Sequence, residues 1–278
     1  MNTTALTPAK PWALSLNLMA WWTESLRRER SLALFALLMA LAMLPTLVAL
    51  GLDERLFRGV SFWAKPLKFM ASISLFAICT AWFVGLLVDE QRSSRAVRLV
   101  VWTIIVAGTA EVAYITLQAA LGQPSHYNVT SKFHTVAYQL MGAGAVSLML
   151  TQLVLAWQVA HHSRSELHPA WRQAVVLGLV MTFVLGVGAA APLASAQPPA
   201  GAGLPVLGWH LAGGDLRPAH FIGSHAQQFV PLVGACLVAV WPVRAMALLW
   251  TFAAAYSGLW LLALLRGLQG AVWLPPPM

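Results

Sequence analysis

The feature that most limits what this chain can become is a run of nearly uncharged apolar blocks, each about twenty residues long. A helix of about that length crosses the hydrocarbon core of a bilayer. In lipid every backbone N–H and C=O must find its partner inside the protein, so such blocks fold as helices. Of the 278 residues 59% are apolar and only 9% charged, where a soluble domain carries about 25% charged residues. The expected fold is all-α, a polytopic transmembrane bundle in a lipid bilayer.

The pattern predicts seven spans, at about 31–52, 66–88, 97–121, 132–160, 171–193, 219–241 and 244–267. Residues 31–270 make one seven-helix domain and 271–278 a tail. Residues 1–30 read as an interfacial segment. There Leu14, Leu18, Trp21, Trp22 and Leu26 recur at helical spacing, with Arg27, Arg28 and Arg30 behind them, as in a helix lying on a membrane surface. The start has no basic leader and no small-residue cleavage site, so it is not read as a signal peptide.

A net charge of +8 would suggest nucleic acid in a soluble protein. Here the cations lie between apolar blocks, where they set orientation instead. With the N-terminus inside, ten Lys and Arg fall on inner segments and seven on outer ones. That predicts N-inside and C-outside. Trp63 and Trp209 would then mark the outer interface, Trp171 and Trp241 the inner one. Trp82, Trp102 and Trp250 lie deeper and are expected to pack. Cys79 and Cys236 fall inside spans without metal spacing and read as small packing residues.

One connection is long. Residues 194–218, ASAQPPAGAGLPVLGWHLAGGDLRP, are rich in Pro and Gly yet contain the apolar LPVLGWHL, which predicts an ordered outer loop.

Polar residues crowd this outer side. Lys65 and Lys68 open the second span; His126 and Asn128 lie in PSHYN; His134 opens the fourth span; His210, Asp215, Arg217, His220 and His225 lead into the sixth. His161, His162 and His168 fall on the inner side as solvated interfacial residues. The NVT at 128–130 is a glycosylation match too short to weigh. Glu111 is the one acid deep in a span, and Tyr114 and Gln118 continue it as a polar stripe. A central carboxylate costs about 2.5–3.5 kcal/mol in a membrane helix, so it must be paired, protonated or facing protein. Its bland reading is an interhelical hydrogen bond that locks packing.

Several chemistries fit these residues. His134 and His225, on separate helices at similar depth, could ligate a haem b, with Arg217, Lys65 and Lys68 for its propionates. A single metal ion could instead be held by His126, His220 and Asp215. On an ideal helix His220 and His225 stand about 140° apart, too far round to grip one metal, whereas Gln227 and Gln228 share the His220 face. The alternative is a carrier or receptor for a small anionic molecule, with Lys65, Lys68 and Arg217 as charge partners and Glu111 as a proton-linked switch. A third reading is a non-catalytic assembly subunit of a membrane complex. Asp215 and Arg217 also fit a salt-bridged cap on the sixth span.

Three stretches, W-A-K-P-L-K-F at 63–69, P-S-H-Y-N at 124–128 and G-G-D-L-R-x-x-H-F-x-G-x-H-x-x-Q at 213–228, resemble a family of bacterial multi-pass inner-membrane proteins without a settled activity. The resemblance spans most of the chain. It implies a bacterial inner membrane and one shared site built from the three stretches. It transfers no catalytic role.

Overall fold

In a computed structural model of the chain, residues 18–201, 203–205, 207–211 and 213–270 are described. Leu14 and Lys10 lie outside them. Helix α1 (Leu18–Arg28) leads into α2 (Arg30–Leu52), then a tight hairpin, β1 (Leu56–Phe57) with β2 (Val60–Ser61), and α3 (Ala64–Val84). A short α4 (Asp89–Arg92) precedes α5 (Arg95–Ala120), α6 (Lys132–His162) and α7 (Pro169–Leu193). The chain closes with α8 (Arg217–Ser224), α9 (Ala226–Val240) and α10 (Ala245–Gln269). Six helices are long and apolar enough to cross a membrane, and α8 with α9 make a seventh if taken as one span. This is an all-α membrane protein.

Local chemistry sets the helix starts. The Glu29 carboxylate takes the Leu32 N–H, Ser94 the Val97 N–H at 3.3 Å, and Ser131 the His134 N–H at 3.3 Å; each satisfies a donor the first turn leaves open. Helix α2 is apolar all round. It buries Leu32, Phe35 and Met39 and exposes Leu34, Leu38, Leu41 and Val48, a surface suited to lipid. Trp102 and Trp250, expected to pack, are more than half exposed (59% and 52%). In a bilayer an apolar ring loses nothing by facing lipid, so depth alone does not assign a tryptophan to the core.

The helices pack as a chain of neighbours, α2–α3–α5–α6–α7, with α8, α9 and α10 gathered on the far side of α7. Two cores result. One joins α2, α3, α5, α6 and α7 around Leu32, Ile104, Leu155 and Leu179; the other joins α7 to α8–α10 around Leu185, Val230, Leu249 and Tyr256. Where α7 meets α8–α9 the backbones nearly touch. A Cβ on Gly178 would lie 2.8 Å from the Pro231 ring, and one on Gly223 2.5 Å from the Leu185 backbone, the close approach that small residues permit in membranes. Helix α1 docks on the end of α3: Trp21 stacks on Trp82 at 6.0 Å, and Trp82 Nε1 donates to the buried Ser25 hydroxyl at 3.0 Å.

The sixth span is not one straight helix. It bends by 51° between α8 and α9, and His225 is the junction residue. Three local events explain the bend. Thr182 Oγ1 of α7 accepts the Gln227 N–H at 2.7 Å, Ser224 Oγ donates to the His220 carbonyl at 2.6 Å, and Pro231 has no N–H to offer the Gln227 carbonyl. A side chain inserted into the ladder and a proline are both recognised causes of kinks. The ideal-helix angles expected for His220, His225, Gln227 and Gln228 therefore do not hold.

Candidate functional site

Three connections meet over one end of the bundle: the hairpin region after α2, residues 121–131, and the long loop 194–216. Direct bonds tie them together. Gly201 N donates to Arg58 O at 2.8 Å, Arg55 Nη2 to Ala120 O at 3.2 Å, and Tyr138 Oη to Ala194 O at 2.8 Å. Tyr127 Oη donates to Leu193 O, and Lys68 Nζ to Leu207 O at 3.2 Å. Trp63 Nε1 and Arg55 both bond the Asp53 carboxylate, at 2.7 and 2.6 Å; those bonds hold Asp53 well below the usual carboxylate range. Arg58 and Tyr127 are the two non-glycine residues with positive φ among the described residues, at 54° and 57°. Such backbone persists only where surrounding contacts hold it.

Asn128, only 3% exposed, organises the middle connection. Its Oδ1 accepts from Thr130 N and Oγ1, and its Nδ2 donates to Pro124 O at 3.1 Å. A buried amide bonded on both its oxygen and its nitrogen acts here as a structural residue.

Asp215 is 1% exposed and its carboxylate is fully engaged. It accepts the His210 N–H at 2.8 Å, the Arg217 N–H at 3.0 Å and the Arg217 guanidinium at 2.7 Å. Burial pushes its pKa up, but the Arg217 and backbone donors outweigh that and hold it below the ordinary value. This is the salt-bridged cap at the mouth of the sixth span. It leaves no oxygen free for a metal.

The proposed metal trio is not assembled. His220 turns toward the Gly186 backbone of α7, His126 packs on Phe69 at 5.8 Å and Tyr138 at 5.7 Å, and Asp215 is committed to Arg217. Among the described residues no three His, Cys, Asp or Glu side chains are grouped to hold a metal ion. Each histidine of the expected haem pair has partners of its own. His134 engages Ser131 Oγ at 2.9 Å and Gln123 Oε1 at 3.0 Å through its two ring nitrogens. His225 lies against Phe221 at 4.3 Å and interacts with Gln228, which also reaches Cys79 of α3. Helix α7 packs between α6 and the α8–α9 pair.

What does converge is charge. Lys65 acts electrostatically on Glu111 below it, on His126 and on Lys68; Lys68 in turn feels Arg217 and Asp215. Arg217 and Arg58 both act on Tyr127. Burial first, and the Lys65 charge second, push His126 down to about 3, so it is neutral at physiological pH. Glu111 is 5% exposed and packs against Gly144 of α6, where a Cβ would sit 3.4 Å from Oε1. Glu111 Oε1, Tyr114 Oη and Gln118 Oε1 are buried without hydrogen-bond partners. Unpartnered polar atoms in such numbers along one stripe call for an explanation. Two open surface depressions lie along Val129–Val136 and beside Trp102; Gly144 helps line the second, and neither takes in Glu111, Lys65, Lys68 or Arg217.

Gln123, Arg58, Tyr127 and Tyr138 escaped the sequence reading. Tyr127 stood inside the quoted PSHYN; the others carried no signal, because their roles are bonds between distant loops. Comparison with known proteins gives no relative: no family model, no curated protein and no solved structure matches the chain.

Proposed function

We propose that the protein binds a small anionic molecule at the capped end of the bundle, as a carrier or receptor, with Lys65, Lys68 and Arg217 as charge partners and Glu111 beneath them. The observation that carries this reading is an imbalance. Lys65, Lys68 and Arg217 are electrostatic neighbours, and Asp215, the carboxylate beside Arg217, is already bonded by it. Clustered cations under a loop cap raise the local concentration of anions and favour their capture. The test is a melting-temperature panel of the purified chain with small carboxylates and inorganic oxyanions at fixed ionic strength. One class should stabilise it, and Lys68→Ala should weaken that binding about tenfold, or 1.4 kcal/mol. If no anion stabilises the chain, the assembly-subunit reading stands in its place.

The capped end faces the periplasm of a bacterial inner membrane in this reading, which rests on the distribution of Lys and Arg and on the family resemblance of the three quoted stretches. Reporter fusions at Gln91 and Glu166 should read cytoplasmic, and one at Gly203 periplasmic. A redox reading on haem or metal keeps one supporting observation, the buried and unpartnered Nδ1 of His220. Reduced-minus-oxidised absorption bands in the purified protein would revive it.

A further inference from the structure

Arginines at the end away from the cap fall into two kinds. Arg28, Arg92 and Arg164 are paired with acids of that end. Arg30, Arg95, Arg98, Arg172 and Arg244 are exposed, and among the described residues their side chains have no hydrogen-bond, ion-pair or ring partner. Each stands at the start of its helix, α2, α5, α7 or α10. The helix dipole disfavours a cation there, so these arginines do not serve the helices that carry them. Setting orientation requires their charge but no particular place for it. On α5 the place has a second feature. Just past Arg95 and Arg98 runs an apolar groove of roughly 400 Å3, walled by Trp102, Val106, Ala107 and Ala110 of α5 and by Gly144 and Ser147 of α6.

On an ideal helix Arg95, Leu99, Trp102, Val106 and Ala110 fall within an arc of about 80°, and Leu99, Trp102 and Val106 are all exposed. Arg98 lies one turn before Trp102. Cations and groove therefore share one lipid-facing side of the bundle. Small residues make the slot: a Cβ on Gly144 would stand 4.0 Å from the Ala107 Cβ, and Ser147 turns its hydroxyl back to Ala143 O at 2.8 Å. From Trp102 to Ala110 the groove runs about 12 Å, against about 15 Å for one leaflet of the hydrocarbon core. An occupant must be apolar along that length and anionic at the arginine end. We propose that an anionic phospholipid binds here, with Arg95 and Arg98 on its headgroup phosphate and one acyl chain in the α5–α6 groove. A zwitterionic headgroup offers the same phosphate but brings its own cation beside the arginines, so the site prefers a lipid of net negative charge. A free phosphate meets the arginines and leaves the groove unused.

The experiment titrates the full chain in detergent micelles at fixed ionic strength, and native mass spectrometry reads the first molecule bound. The probes are phosphatidylglycerol, phosphatidylcholine with the same acyl chains, and glycerol phosphate, which has the headgroup chemistry without the chains. Phosphatidylglycerol should bind at least about fivefold more tightly than phosphatidylcholine, and glycerol phosphate at least about tenfold more weakly than either lipid. Arg95→Gln together with Arg98→Gln should weaken phosphatidylglycerol about twentyfold and bring the two lipids within about twofold of each other. Removing the same charge from α7 and α10, with Arg172→Gln and Arg244→Gln, should cost less than about threefold. Ala110→Trp, at an exposed position, fills the slot and should weaken both lipids while keeping their ratio. Equal affinity of the wild-type chain for the two lipids, or glycerol phosphate binding as tightly as phosphatidylglycerol, overturns the site with no variant having to fold. An equal loss in the Arg172 and Arg244 variant makes the attraction a diffuse one and also overturns it. So does an Ala110→Trp chain that melts cooperatively and binds lipid as the wild type does.

Discussion

The two ends of the bundle carry the same kind of residue and use it differently. At the end away from the cap, the arginines around the close of α3 are absorbed into the architecture. Arg28 pairs with Glu24 at 2.8 Å, donates to Trp82 O at 2.9 Å and lies 4.2 Å over the Trp82 ring. Arg92 bonds Gly85 O at 2.7 Å and Leu87 O at 3.2 Å, and Arg164 bonds Asp89 at 3.1 Å. These cations close the carbonyl-rich end of α3, where positive charge is favoured. At the capped end Arg217 is paired with Asp215 and Arg55 with Asp53. Lys68 bonds a single carbonyl, and Lys65 reaches no carboxylate in contact. A cation bonded to helix ends is structural; one held near unpartnered acceptors is available to a ligand.

The sharpest way to break this contrast is at Asp215. If its carboxylate is the lock of the cap, Asp215→Ala leaves Arg217 unpaired and the His210 amide without an acceptor, and should lower stability by roughly 3 kcal/mol. A thermal melt in detergent reads it. A loss below about 0.5 kcal/mol, the level of an ordinary surface substitution, would show that the capped end is not held there.

A second effect depends on pH. The folded pKa of His126, about 3, lies below its unfolded value of 6.5. Between those values the unfolded chain binds more protons, so this contribution is complete above the unfolded value and is lost as pH falls through the window. At about pH 5 the loss amounts to roughly 2 kcal/mol. His126→Asn should flatten that slope. Asp215, whose folded pKa is depressed, contributes stability that disappears only below the ordinary carboxylate range, so the two acid limbs separate.

At the opposite end, Arg92→Ala removes bonds to the Gly85 and Leu87 carbonyls just past α3 and should lower stability by about 1–2 kcal/mol. Anion affinity should stay within about twofold of wild type, since charges separated by more than a screening length interact weakly. A large affinity change would erase the distinction between the ends. The smallest effect belongs to Tyr138→Phe. Losing one hydroxyl bond to Ala194 O should lower stability by about 1 kcal/mol and speed proteolysis within 196–211, without moving any cleavage site elsewhere.

The sequence by itself determined the class and the layout. Apolar blocks of span length in a chain that is only 9% charged leave helices as the solution, because nothing else bonds its own backbone in lipid. Helices α2, α3, α5, α6 and α7 lie where the apolar blocks placed them, within a few residues. The Glu111–Tyr114–Gln118 stripe followed from helical geometry alone. Tertiary structure decided who meets whom. The break at His225 needs a threonine from α7, and no local pattern contains it. Asp215 gives to Arg217 and the His210 amide a carboxylate that a one-dimensional reading could equally offer to a metal. His134 meets Gln123 because the 121–131 connection folds back on α6. Transfer energies and periodicity are properties of a segment and can be read along it. Hydrogen-bond partners and electrostatic neighbours are properties of distances between segments, which only the packed helices fix.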